Sequence, residues 1–136
     1  MNGEQLIELA KQAREKAYVP YSRFPVGAAI LADDGTVVTG CNIENASYGL
    51  TNCAERTAIF KLVSEGKKDI QLVAVVADTP RPVSPCGMCR QVLAEFCSPD
   101  TKVILSNLNG QTTVTTVAEL LPYSFSKEDL NDAGHT

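Results

Sequence analysis

The run "IQLVAVVAD", Ile70 to Asp78, is apolar at nearly every position. A strand with one wet face alternates apolar and polar residues. An unbroken apolar run marks a strand covered on both faces. Such a strand belongs inside a sheet that has helices on either side.

The neighbouring segments supply those partners. Upstream, "VGAAILADDGTVVTGCN" (26–42) reads as a hairpin, two apolar strands around the Asp34-Gly35 turn signal. After the loop "IENASYGLT" a helix is predicted from about Cys53 to Glu65, with Gly66 in the C-cap role. At the N-terminus, residues 2–17 carry Leu6, Ala10, Ala13 and Ala17 at helical spacing; Asn2 and Gln5 suit a capping pair, and Pro20 ends the segment. Downstream, "TPRPVSP" is a rigid proline loop, and Ser84-Pro85 predicts a helix start with the helix running to about Cys97. "TKVILSN" and "QTTVTTV" read as two more strands around an Asn109-Gly110 turn, and a short helix at "AELL" precedes Pro122. This order predicts a three-layer α/β/α sandwich around a mixed five-stranded sheet, with residues 1–136 as a single domain. The tail, 123–136, holds aromatic residues costly to leave in water and is expected to pack at a subunit interface.

A chain of 136 residues with 44% hydrophobic and 21% charged residues is an ordinary globular composition, large enough for a real core. The net charge of −4, without a lysine or arginine run, argues against tracking a polynucleotide backbone. "MNGEQLIELAKQ" is amphipathic with two acids, so neither a signal peptide nor a membrane span is expected and a cytoplasmic location is the default. In that reducing setting Cys41, Cys53, Cys86, Cys89 and Cys97 are expected to be metal ligands, catalysts or core filler rather than disulfides.

Three of these cysteines form a pattern. Cys86 and Cys89, three apart at a helix start, have side chains on one face and can reach a single ion, while Cys53 offers a third sulfur from another helix start. The chain's one histidine, His135, lies in the tail, and Cys41 and Cys97 have no matching spacing. Three ligands and an open position are the catalytic arrangement of zinc. Glu55, two residues past Cys53, has two readings. With Asn52 it fits a capping box; alternatively it stands beside metal-bound water and moves protons. The second requires Cys53 at the very start of the helix, since residues two apart in mid-helix point to opposite sides. Zinc with three thiolates carries about −1 charge, which blunts activation of its water. Arg56, three residues after Cys53, is expected to compensate that charge, or else is a surface arginine.

"CAE" followed by "PCGMCRQ" resembles the zinc-dependent deaminase signature. "VPYSRFPVGAA" and "GCNIENASYG" narrow the resemblance to the small homotetrameric cytidine deaminases, over Ala17 to about Gln91. The resemblance implies hydrolysis of cytidine and deoxycytidine to uridine and deoxyuridine, one zinc per chain, and Glu55 as the proton shuttle. It further implies that Asn42 and Glu44 hold ribose hydroxyls, that Phe24 packs near base and sugar, and that backbone groups of Ala54 and Cys86 read the base edge. Phe125, Ala46 and Tyr48 are implied at contacts between subunits. Cys41 and Cys97 are expected as small buried hydrophobes. Arg90 could brace the cluster or lie outside it.

Other readings compete. A deaminase of a modified, antibiotic-type cytosine nucleoside would share the metal site. A structural zinc module needs a fourth ligand, and a dithiol redox protein built on Cys86 and Cys89 leaves Cys53 and Glu55 without a purpose. A small-molecule substrate, with no nucleic acid and no membrane as partner, is the expectation.

Overall fold

The computed structural model describes residues 1–82 and 85–125. Its elements are α1 (Gly3–Arg14), β1 (Val26–Ala32), β2 (Val37–Cys41), α2 (Ala54–Ser64), β3 (Ile70–Ala77), α3 (Gly87–Phe96), β4 (Lys102–Ser106), β5 (Thr112–Thr116) and α4 (Val117–Leu120). The five strands form one sheet in the order β2-β1-β3-β4-β5. β3 and β4 are parallel, joined by the α3 crossover; every other neighbouring pair is antiparallel. The sheet is mixed, as the element order predicts.

β3 lies at its centre, and its residues alternate between two cores. Val73 and Val75 join Ala28, Ile30, Val103 and Leu105 beneath Ala58, Ile59 and Leu62 of α2 and Leu93 of α3. Ala74 and Val76 join Ala29, Leu31 and Ile104 beneath Leu6 and Ala10 of α1. Helices therefore cover both faces, and this is why the 70–78 run lacks alternation.

Two glycines set the layer spacing. A Cβ on Gly27 would run into the backbone of α1 at Ala10 and Arg14. A Cβ on Gly40 would stand 2.5 Å from the Ala58 nitrogen and 2.6 Å from the Ala54 oxygen, both in α2. That second approach seats the first turn of α2 directly on the hairpin.

Some boundaries differ from expectation. The Asn2–Gln5 capping box forms, but α1 stops at Arg14, short of Ala17. Its last amides make i−3 bonds, and Tyr18 N–H donates to the carbonyl of Asn42, drawing the chain off the helix axis. α3 starts at Gly87, capped by Cys86; Ser84, the expected opener, lies outside the described residues. Cys41 and Cys97 are half-buried rather than buried, and burial still pushes the Cys97 thiol up to about 12. The expected packing of the tail falls mostly on 126–136, outside the described residues. Among the described residues no helix is long and apolar enough to cross a membrane.

A candidate metal centre beside a buried carboxylate

Cys53 and Cys86 are the N-caps of α2 and α3, each in extended backbone. Their carbonyls accept the first intrahelical bonds, from the amides of Thr57 and Arg90, both at 3.0 Å. Neither thiol bonds to the amides of its own helix, which leaves both sulfurs for another partner. Cys89 is the third residue of α3, and an N-cap and a third helical residue share a face. Sγ of Cys86 accordingly lies 3.4 Å from Sγ of Cys89. Sγ of Cys53 lies 3.6 Å from Sγ of Cys86, and all three sulfurs fall within 4.8 Å of one another. Tetrahedral ligands at about 2.3 Å from zinc stand about 3.8 Å apart, so the trio matches the ion in size and in chemistry. Among the described residues no fourth ligand joins the group. His135 lies outside them.

Two helix N-termini meet at these sulfurs, and their dipoles favour thiolate. The Cys53 thiol is drawn down to about 5, first by a hydrogen bond from Cys89 and then, after opposing desolvation, by Arg56. Cys89, the donor in that bond, is held well above the usual thiol range. The guanidinium of Arg56 donates from Nη2 to Sγ of Cys53 at 3.3 Å and to the Thr51 carbonyl at 3.3 Å. Arg56 is thus part of the cluster's surroundings, and its Nε is buried without a partner among the described residues.

Glu55 is only 4% exposed. Burial is the main cause that raises its pKa, and the negative charge of Cys53 adds to it; bonds from its own amide and from the Cys89 thiol oppose. The Asn52–Glu55 capping box does not form. Asn52 instead donates from Nδ2 to Oγ1 of Thr57 at 3.1 Å, and Cys53 takes the cap position. The extended backbone at Cys53 removes the objection that residues 53 and 55 would diverge, since only Glu55 has helical geometry.

Arg90 is bound at two points that sequence reasoning left open. Its Nε donates to the Pro85 carbonyl at 2.8 Å and its Nη1 to the Leu120 carbonyl at 2.7 Å. It ties the residue before Cys86 to the end of α4 and makes no hydrogen bond to the sulfurs. Next to it, Gln91 donates from Nε2 to the Phe125 carbonyl at 2.9 Å, so α3 also holds the start of the tail.

Asn42 and Glu44 lie beyond β2, where Ile43 bridges to Asn52 on one side and to Tyr18 on the other. That double bridge runs the 42–44 segment beside the approach to Cys53. The Asn42 Oδ1 accepts from Val26 N–H at 2.9 Å, and its Nδ2 donates to the Phe24 carbonyl at 2.9 Å. Glu44 Oε1 accepts from the amides of Tyr21 and Ser22 at 3.0 and 3.1 Å. The hydroxyl of Ser22 is the first cause holding the Glu44 carboxyl below its usual range. Ala54 is fully buried, while Phe24, Ala46, Tyr48 and Phe125 are exposed within the single chain. Sequence reasoning missed the 19–25 loop's dependence on Asn42 and Glu44, because no local pattern announces a bond between residues about twenty apart.

The profile of the cytidine and deoxycytidylate deaminase zinc-binding region matches residues 1–106. The chain is 65% identical to a cytidine deaminase of Halalkalibacterium halodurans over 97% of this chain and 100% of that one. It is 63% identical to a cytidine deaminase of Sporosarcina psychrophila over 98% of both chains. The crystal structure of a cytidine deaminase from Burkholderia pseudomallei superposes with a TM-score of 0.90 at 52% identity, covering 92% of this chain and 100% of that one.

Proposed function

The chain belongs to the cytidine and deoxycytidylate deaminase family, and from that premise we propose that it hydrolyses cytidine and deoxycytidine to uridine and deoxyuridine, releasing ammonia in pyrimidine nucleoside salvage. One observation carries the reading: three converging thiols, with no fourth ligand among the described residues, beside a buried carboxylate.

Cys53, Cys86 and Cys89 would hold one zinc ion, which when bound supplies an acidified water for attack on C4 of the cytosine ring. Glu55 would accept in turn the two protons that the attacking water gives up, delivering the first to N3 and the second to the departing amine. Burial suits it to this cycle, because a carboxyl with a raised pKa holds a proton more readily than an exposed one and can still give it up. Arg56, bound to Sγ of Cys53, offsets charge on the thiolates. Backbone groups of Ala54 and Cys86 read the base edge, while Phe24 packs against base and sugar. Asn42 and Glu44 hold the ribose hydroxyls with the bonding capacity left after their bonds to the 21–26 segment.

The single chain leaves Tyr48 91% exposed, Leu50 69% and Phe125 62%. Aromatic and aliphatic surface of this kind marks a contact with another protein, and it supports assembly as a homotetramer in which Ala46, Tyr48 and Phe125 approach a neighbouring copy's site. The start of the tail, Tyr123 to Phe125, would pack at that interface. Five free cysteines suit a reducing cytoplasm.

An antibiotic-type deaminase would share the metal site, but identity of 65% to a cytidine deaminase favours the ordinary nucleoside. The test is a zinc determination on purified protein together with cytidine's ultraviolet absorbance followed over time. About one tightly held zinc per chain with falling absorbance is expected. Zinc without turnover would mark a non-catalytic module.

A further inference from the structure

We propose that Ser22 is a positioning residue for sugar recognition, locking the Glu44 carboxylate to the backbone of the loop that carries Phe24. The inference rests on the deaminase reading above and deepens it, since nothing in the sequence pattern singles Ser22 out.

Ser22 meets both residues at once. Its amide donates to Oε1 of Glu44 at 3.1 Å, and its Oγ accepts from the Phe24 amide at 3.1 Å. The loop between them is wound tightly. Arg23 sits in the left-handed region at φ 56°, and its amide closes onto the Val19 carbonyl at 2.9 Å. A non-glycine residue in that region carries strain that its surroundings must hold.

A free carboxylate on a surface segment samples several rotamers, and each one frozen on binding costs affinity. Two amides from residues 21 and 22 remove that freedom in advance, and the Ser22 hydroxyl holds the turn that presents them by accepting from the Phe24 amide. A carboxylate accepts about four hydrogen bonds, so capacity for sugar hydroxyls remains. Ser22 thus preorganises Glu44, and it does so from the turn that leads directly into Phe24.

The experiment measures KM and kcat for wild type, Ser22→Ala and Ser22→Thr on cytidine and on dideoxycytidine, whose sugar lacks the 2′ and 3′ hydroxyls. Ser22→Ala is expected to raise KM for cytidine about five- to tenfold with little change in kcat. KM for the dideoxy compound should move far less, and Ser22→Thr should restore both. In a Glu44→Gln background the added effect of Ser22→Ala should nearly vanish. A partly misfolded variant scales kcat for both nucleosides equally and leaves the KM ratio readable. Unchanged KM for cytidine, equal penalties on the two nucleosides, or full additivity with Glu44→Gln would each overturn the inference while leaving the deaminase reading intact. No turnover of cytidine by the wild type would overturn that reading, and the inference with it.

Discussion

Nη2 of Arg56 lies 3.3 Å from Sγ of Cys53 and 3.3 Å from the Thr51 carbonyl, so one guanidinium links a predicted zinc ligand to the loop that delivers it. The Thr51 bond holds the arginine in place. The sulfur bond puts positive charge against a cluster that would otherwise be net negative.

Replacing Arg56 with alanine should therefore weaken the site in two ways. Zinc should be lost more readily to a chelator, and kcat should fall about tenfold or more at neutral pH, with partial recovery as pH rises. Zinc retention and an unaltered activity profile across pH would exclude the charge-compensating role.

Glu55→Gln should keep its zinc, because the carboxylate lies outside the ligand trio, yet lose turnover by about 10²- to 10⁴-fold. Its stability should change in the opposite sense. The folded-state pKa of Glu55 is raised by burial, so its contribution is favourable below the ordinary carboxylate range and is lost as pH rises through the folded value. Glutamine carries no charge to bury. Urea midpoints near neutral pH should be equal or higher for the variant, and a clearly lower midpoint would contradict the burial argument.

Gly40→Ala should disturb the same turn from beneath. The added methyl group would meet backbone atoms of Ala54 and Ala58, which cannot rotate aside. α2 must lift from β2, carrying Cys53 and Glu55 with it. A destabilisation of roughly 1–3 kcal/mol in denaturant titrations is expected, together with a fall in kcat.

Asn107, fully buried, joins the β4–β5 turn to the loop before α3. Its Oδ1 accepts from the amides of Asn109 and Gln111 at 3.0 and 2.9 Å, and its Nδ2 donates to the Thr79 carbonyl at 3.0 Å. Asn107→Ala leaves those groups without partners and should cost about 2–4 kcal/mol. Asn107→Asp keeps the acceptor but loses the donor, so its melting temperature should also fall. A neutral alanine variant would show that water replaces the side chain.

Much of the architecture is legible in the chain because it follows from local rules. An apolar run without alternation at 70–78, a capping pair at Asn2 and Gln5, and glycines 35, 66 and 110 at positive φ each act through nearest neighbours. The metal trio is legible for the same reason at 86 and 89, where helical spacing alone brings two sulfurs together. Cys53 is thirty-three residues from Cys86, and its place in the trio was read by chemistry before geometry.

Other features depended on distant segments meeting. Helix α1 ends at Arg14 because Tyr18 pairs with Asn42, and no pattern within 2–17 records that competition. Cys53 caps its own helix although Thr51 and Asn52 are better caps by type, because Ile43 has already taken the Asn52 backbone into a bridge. Which segments become strands and helices, and which residue types could hold zinc, is written along the chain, since periodicity and ligand chemistry are properties of short stretches. Folding is what buries Glu55 beside the sulfurs, ties Pro85 to Leu120 through Arg90, and lets Glu44 grip the Phe24 loop through Ser22. Burial and long-range hydrogen bonds come into being only when the layers close.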